Sequence, residues 1–169
     1  MTNKHLTFAI FGNSFQPRKS HSLLRVLAFL REHGAKAIFD RPFYDFLTEE
    51  QSVDLGEVGT FEGDDFDADY VVSMGGDGTF LKSAVRVGCK QIPLIGVNMG
   101  RLGFLADVLP GEVETALQAV LDGNYQIEEH TAIQITTEGG DFDGCHYALN
   151  DIAVLKRDVA SMISIDTCI

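Results

Sequence analysis

Three glycines surround one carboxylate in Gly75-Gly76-Asp77-Gly78-Thr79, behind the apolar run Val71-Val72-Ser73-Met74 and ahead of Phe80-Leu81-Lys82-Ser83-Ala84. Glycine lets a backbone come close to a bound group and take positive φ, and amides at a helix start point at whatever anion sits there. The pattern therefore predicts a phosphate-handling loop, with Gly75, Gly76, Gly78 and Thr79 supplying donors. Asp77 needs its own explanation. A carboxylate facing a phosphate repels it unless a metal ion or a substrate hydroxyl stands between them. Phosphoryl transfer with Mg²⁺ or another divalent ion, and a nucleotide as the phosphate source, is the simplest arrangement that meets this condition. The competing reading is a plain tight turn, since Asp-Gly is a common hairpin signal. The residues that follow favour a helix: Leu81, Ala84, Val85 and Gly88 recur at helical spacing, and Thr79 is placed to cap it.

A second glycine-containing loop, Asn98-Met99-Gly100-Arg101-Leu102-Gly103-Phe104-Leu105, follows a strand pattern over residues 92–97. Loops at the carboxyl ends of neighbouring strands in an open α/β sheet meet at one crevice. Arg101 is then either a phosphate partner or the mate of a surface acid, and Phe104 either covers an adenine or belongs to the core.

The elements that must position these loops run in order. Residues 6–11 read as a first buried strand, and Gly12-Asn13-Ser14 as either a ligand-facing loop or a simple connection. Leu23, Leu24, Leu27 and Leu30 share one face of a helix over residues 20–33, which Gly34 stops; His21 and His33 are expected at its exposed ends. A second short strand over residues 35–39 is broken by Arg41-Pro42. Residues 45–69 hold ten acids and no Lys or Arg, and read as a solvated, irregular connection without calcium-loop spacing. Pro110 and Gly111 open a helix carrying Val113, Leu117, Val120 and Leu121, closed by Asp122-Gly123-Asn124. The pattern then alternates at Ile133 and Ile135, over residues 147–149 and 152–155, and at Ile163, Ile165, Thr167 and Ile169. The expected architecture is an α/β domain with a parallel sheet over residues 1–106. The start of a β-rich, sandwich-like second domain follows over residues 107–169. The alternating run stops at Ile169 without a partner, so the chain is expected to be incomplete, and its unpaired strands favour homo-oligomers, a dimer or tetramer.

The 169 residues are 45% hydrophobic, enough for a core, and the formal net charge is −12. That charge argues against a nucleic-acid partner, whose phosphates call for Lys and Arg. No apolar run approaches the roughly 18 residues of a membrane span, and the N-terminus lacks signal-peptide architecture, so a cytoplasmic protein without a membrane partner is expected. Cys89, Cys145 and Cys168 lie far apart, without zinc spacing, and are expected to be reduced and structural.

The Gly75-Gly76-Asp77-Gly78-Thr79 loop resembles the motif shared by NAD kinases, diacylglycerol kinases and 6-phosphofructokinases. The stretch from Asn98 through Leu105 resembles the motif that marks NAD kinases among them, and the similarity runs the length of the chain. The resemblance implies transfer of the terminal phosphoryl group of ATP, or of polyphosphate in some members, to the 2′-hydroxyl of the adenosine ribose of NAD. It implies a catalytic role for Asp77 and NAD contacts at Gly78, Lys82 and Phe104. Asn150-Asp151 matches an Asn-Glu pair that binds NAD, with the acid one methylene shorter. Ser161 falls where many members carry Arg or His. The family's Gly-Ser-Thr-Ala-Tyr-type segment lies beyond Ile169, so this chain alone is not expected to complete an active site. A lipid or sugar kinase using the same loop, and a non-catalytic NAD-binding or assembly module, are the alternatives.

Overall fold

The apolar runs become strands because both of their faces are covered. In strand β1 (Thr7–Gly12), Phe8 and Ile10 point to one side and Ala9 and Phe11 to the other, all buried. The computed structural model describes residues 5–13, 20–100, 103–138, 147–153, 162, 164 and 166. Five strands form one parallel sheet, the remaining four being β2 (Lys36–Asp40), β3 (Gly59–Phe61), β4 (Tyr70–Gly75) and β5 (Leu94–Asn98). Their order is β3-β2-β1-β4-β5.

Helices cover both faces. Helix α1 (Ser20–Glu32) buries Leu23, Val26, Leu27 and Leu30 against Phe8, Ile10, Val72 and Val97, in a cluster that also takes Val113 and Leu117. On the other face Ala9, Phe11 and Val71 meet Phe61, Phe66 and Val87. A short helix α2 (Arg41–Asp45) follows β2 directly and runs on as a wider turn through Phe46–Glu50. Helix α3 (Asp77–Val87) begins where β4 ends. Helix α4 (Val113–Leu121) packs beside α1, where Arg25 forks onto Glu114 with two bonds of 2.9 Å and donates to the Pro110 carbonyl at 3.2 Å. Val108 also joins the edge of β5, its carbonyl accepting the Asn98 amide at 2.8 Å. The stretch 107–121, assigned from its sequence to the second unit, therefore packs with the first.

The acidic stretch corrects the expectation of a solvated connection. Eight of its ten acids are exposed, but Phe46, Leu47, Leu55, Phe61 and Phe66 are buried, and β3 extends the sheet through Phe39↔Thr60. Arg86 of α3 holds it by bonding Asp64, the Gly63 carbonyl and Asp40. Beyond α4, strands β6 (Ile133–Gln134) and β7 (Tyr147–Ala148) pair antiparallel, the short β-rich beginning that the alternation foretold. Tyr147 ties this pair to the end of α3, its hydroxyl 3.5 Å from the Cys89 sulfur and 3.3 Å from Gln134 Nε2. Cys89 is a free, exposed thiol; Cys145 and Cys168 lie outside the described residues. His21 and His33 are exposed, as expected of helix-end residues.

Candidate active site

The order in which strands are added reverses between β1 and β4, because the chain first builds outward through β2 and β3 and then returns to the other side of β1. The carboxyl ends of strands flanking such a reversal form the crevice where open α/β sheets bind ligands. Gly12 and Asn13 lie at the end of β1, and Gly75, Gly76 and Asp77 at the end of β4. Gly12 has no room for a side chain, since a Cβ there would enter the Phe43 ring. Ser14 lies outside the described residues.

Asp77 is the first residue of α3, in the turn where unpaired amides favour a negative charge. Its carboxylate is met by the backbone of the second glycine loop. Oδ2 accepts the Phe104 amide at 2.8 Å, and Oδ1 accepts the amides of Leu105 and Ala106 at 3.0 and 3.1 Å. These bonds, led by that of Phe104 and then Ala106 and Leu105, hold the carboxyl below its ordinary range, against a smaller opposing effect of desolvation. The two loops are also sewn together at their roots. The Met99 amide donates to the Gly75 carbonyl at 2.6 Å, and the Asn98 side chain, buried at 2% exposure, accepts the Gly100 amide at 2.9 Å.

The glycines act by close contact rather than by left-handed backbone. None of Gly75, Gly76 and Gly78 has positive φ, which corrects that part of the sequence argument. A Cβ on Gly75 would lie 2.5 Å from Thr79 Cβ, so this glycine makes room for the threonine. A Cβ on Gly76 or Gly78 would meet nothing within 4 Å, which leaves their backbone open to an approaching group.

Thr79 is not a cap. Gly76 occupies the N-cap position without a side-chain bond, and Thr79 is buried inside the helix. Its amide donates to the Gly76 carbonyl at 3.0 Å, as does that of Phe80. The Thr79 amide is thus already used, and the amides of Asp77 and Gly78 are the ones at the helix start. Behind them Ser83 Oγ donates to the Thr79 carbonyl at 2.9 Å and lies 3.1 Å from Ser73 Oγ, bracing α3 on β4.

The other expected residues are placed less tightly. Lys82 is exposed, one helical turn beyond Gly78. The Phe104 ring is 93% exposed, so it is not core, even though its amide is bonded to Asp77. Asn150 and Asp151 follow β7 and bond each other at 3.0 Å. Among the described residues no hydrogen bond or ion pair joins them to the Asp77 loop. Arg101 and Ser161 lie outside the described residues. Sequence reasoning did not single out Gly103 or the amides of Leu105 and Ala106; the glycine in the second loop was their one visible signal. Among the described residues no group of three or more His, Cys, Asp or Glu side chains could hold a metal, and no helix is long and apolar enough to cross a membrane.

Known proteins are similar to this chain. The family described as the ATP-NAD kinase N-terminal domain matches residues 10–125. The chain is similar to the NAD kinase of Bacteroides fragilis, 46% identical over 164 residues, which are 97% of this chain and 57% of that protein. It is 37% identical to the NAD kinase of Porphyromonas gingivalis over 95% of this chain and 55% of that one. It thus spans little more than half the length of the curated relatives it matches. The fold is that of the yeast NADH kinase solved in complex with NADH, with a TM-score of 0.69 at 17% identity, covering 86% of this chain and 47% of that one.

Proposed function

The chain belongs to the ATP-NAD kinase family, and from that premise we propose that it carries the phosphoryl-transfer loop of an NAD kinase. The reaction joins the 2′-oxygen of the adenosine ribose of NAD to the terminal phosphorus of ATP, releasing ADP and giving NADP. One observation carries this reading: a single carboxylate at the reversal in strand order, Asp77, is held ionised by three backbone amides and lies beside open glycine backbone. A carboxyl with a lowered pKa is a weak base for an alcohol, so Asp77 does not strip the hydroxyl before reaction. In a loose phosphoryl-transfer transition state the nucleophile needs orientation first, and its proton leaves late. Asp77 orients the 2′-hydroxyl and receives that late proton. The Asp77 and Gly78 amides face the phosphates, where fixed donors need no reorganisation.

Mg²⁺ would be carried by the nucleotide, held by phosphate oxygens and its own waters, which leaves Asp77 to the hydroxyl. Bound there, the ion neutralises charge on the phosphates. Phe104 offers an exposed ring for the adenine, while Lys82, Asn150, Asp151 and Ser161 are read as NAD contacts and Arg101 as a phosphate contact, on the family resemblance. We read residues 1–106 as the nucleotide-handling unit, with α4 packed onto it, and the rest as the start of the NAD-binding unit. The whole protein is read as a cytoplasmic homo-oligomer.

The test is an acceptor screen on the protein as its gene encodes it, with NAD, NADH, a diacylglycerol and fructose 6-phosphate offered separately with ATP and Mg²⁺. NADP formation that disappears in Asp77→Asn supports the proposal. Phosphorylation of a lipid or sugar alone overturns it.

A further inference from the structure

Among the described residues the Asp77 carboxylate has no side-chain partner: its bonds come from three consecutive backbone amides 27 to 29 residues away. Three consecutive N–H groups converge on one carboxylate only if the chain passes very close beneath it. Gly103 is where it does so. A Cβ at Gly103 would lie 2.9 Å from the Asp77 carboxylate carbon and nearer still to Oδ1, whereas ordinary contact begins at 3.4 Å. No other side chain fits without pushing the carboxylate or the loop aside.

We infer that Gly103 is a positioning residue for the phosphoryl-transfer reaction, and that residues 103–106 form a backbone seat fixing the orientation of Asp77. A carboxylate offers about four acceptor sites. The seat fills two on Oδ1 and one on Oδ2, leaving a single Oδ2 site for one incoming hydroxyl. The seat thus selects which lone pair of Asp77 meets the acceptor. It also links base and ribose recognition, because the amide on Oδ2 belongs to Phe104, whose ring is exposed. The reactive consequence rests on the kinase reading; the seat itself does not.

The experiment has two arms. In this chain without ligand, amide proton resonances of Phe104, Leu105 and Ala106 are expected downfield, as for amides bonded to an anion, and all three move upfield together in Asp77→Asn at neutral pH. Unchanged positions in that variant overturn the seat whether or not the protein proves to be a kinase. In the protein as its gene encodes it, Gly103→Ala displaces the carboxylate by about 0.5 Å or more, and a misplacement of about 1 Å costs on the order of 10²-fold in rate. A fall in kcat of about 10- to 100-fold, with the KM for ATP within about twofold, is expected. Gly111→Ala, whose new methyl meets open space, keeps the wild-type rate. An unchanged kcat in Gly103→Ala overturns the positioning role, and failure of that variant to fold leaves the amide resonances to decide.

Discussion

Asp77 and Glu114 both stand in the first turn of a helix, and both are held below their ordinary pKa by donors from elsewhere in the chain. The donors differ in kind. Glu114 is gripped by the Arg25 guanidinium, whose bond leads the causes of its shift, and both side chains are substantially exposed, at 46% and 30%. Among the described residues Asp77 is gripped by main chain alone. A side-chain pair between two helices loses rotamer entropy, is screened by salt and contributes little to holding them. A backbone seat cannot rotate away and leaves one lone pair at a set angle, which suits a group that must meet a substrate. Both regions hold a carboxylate charged, but only the second fixes it by main chain.

The comparison can be broken most decisively at Asp77. Asp77→Asn in the protein as its gene encodes it is expected to lower kcat by about 10²- to 10⁴-fold, with NAD binding by calorimetry changed only a few-fold; near-normal turnover would remove Asp77 from the chemistry. The next largest effect belongs to the scaffold. Leu117 is fully buried one turn beyond Glu114, and Leu117→Ala should destabilise the fold by about 2–5 kcal/mol, read from chemical denaturation. If it does not, packing is not what holds α4.

Acid separates the two carboxylates from the rest of the fold. Each has a folded pKa lowered from its unfolded value, so each contributes stability that is present above the unfolded pKa, about 4, and lost as pH falls through the folded value. The melting-temperature gap between wild type and Asp77→Asn should therefore be flat from neutral pH down to about 5 and close below about 4. A gap that widened in acid would reverse the assigned sign. The smallest effect is expected at the tether: Glu114→Gln should lower Tm by less than about 3 °C, and 1 M salt, with a Debye length of about 3 Å, should erase most of that. A large, salt-resistant loss would make the tether the equal of the seat.

The strand, loop and helix around Asp77 were legible because their cues are local. An apolar run of strand length, glycines at its end and helical spacing after it need no distant partner to be recognised. The same holds for β1, α1, β2, β5 and α4, each found within two or three residues of its expected place. Helix α2 was missed because Pro42 was read as a breaker, yet it sits in the first turn, where a missing N–H costs nothing. Strand β3 was hidden by the acids on either side of it. Only the partner strand shows that Thr60 and Phe61 add to a sheet edge while Phe61 and Phe66 turn inward around Phe11. Thr79 has the type of a cap, but close packing on Gly75 outweighs that preference.

What the sequence by itself determined is the inventory: a parallel α/β sheet, two glycine loops at strand ends, one acid in the first loop, and the family that owns this pair of motifs. Tertiary structure decided how that acid is held. The order β3-β2-β1-β4-β5 and the pairing of Gly75 with Asn98 bring residue 77 against residues 104–106. Backbone amides carry no mark of residue type, so a seat made of three of them is invisible until the chain is folded, except through the one glycine whose missing side chain makes room for it.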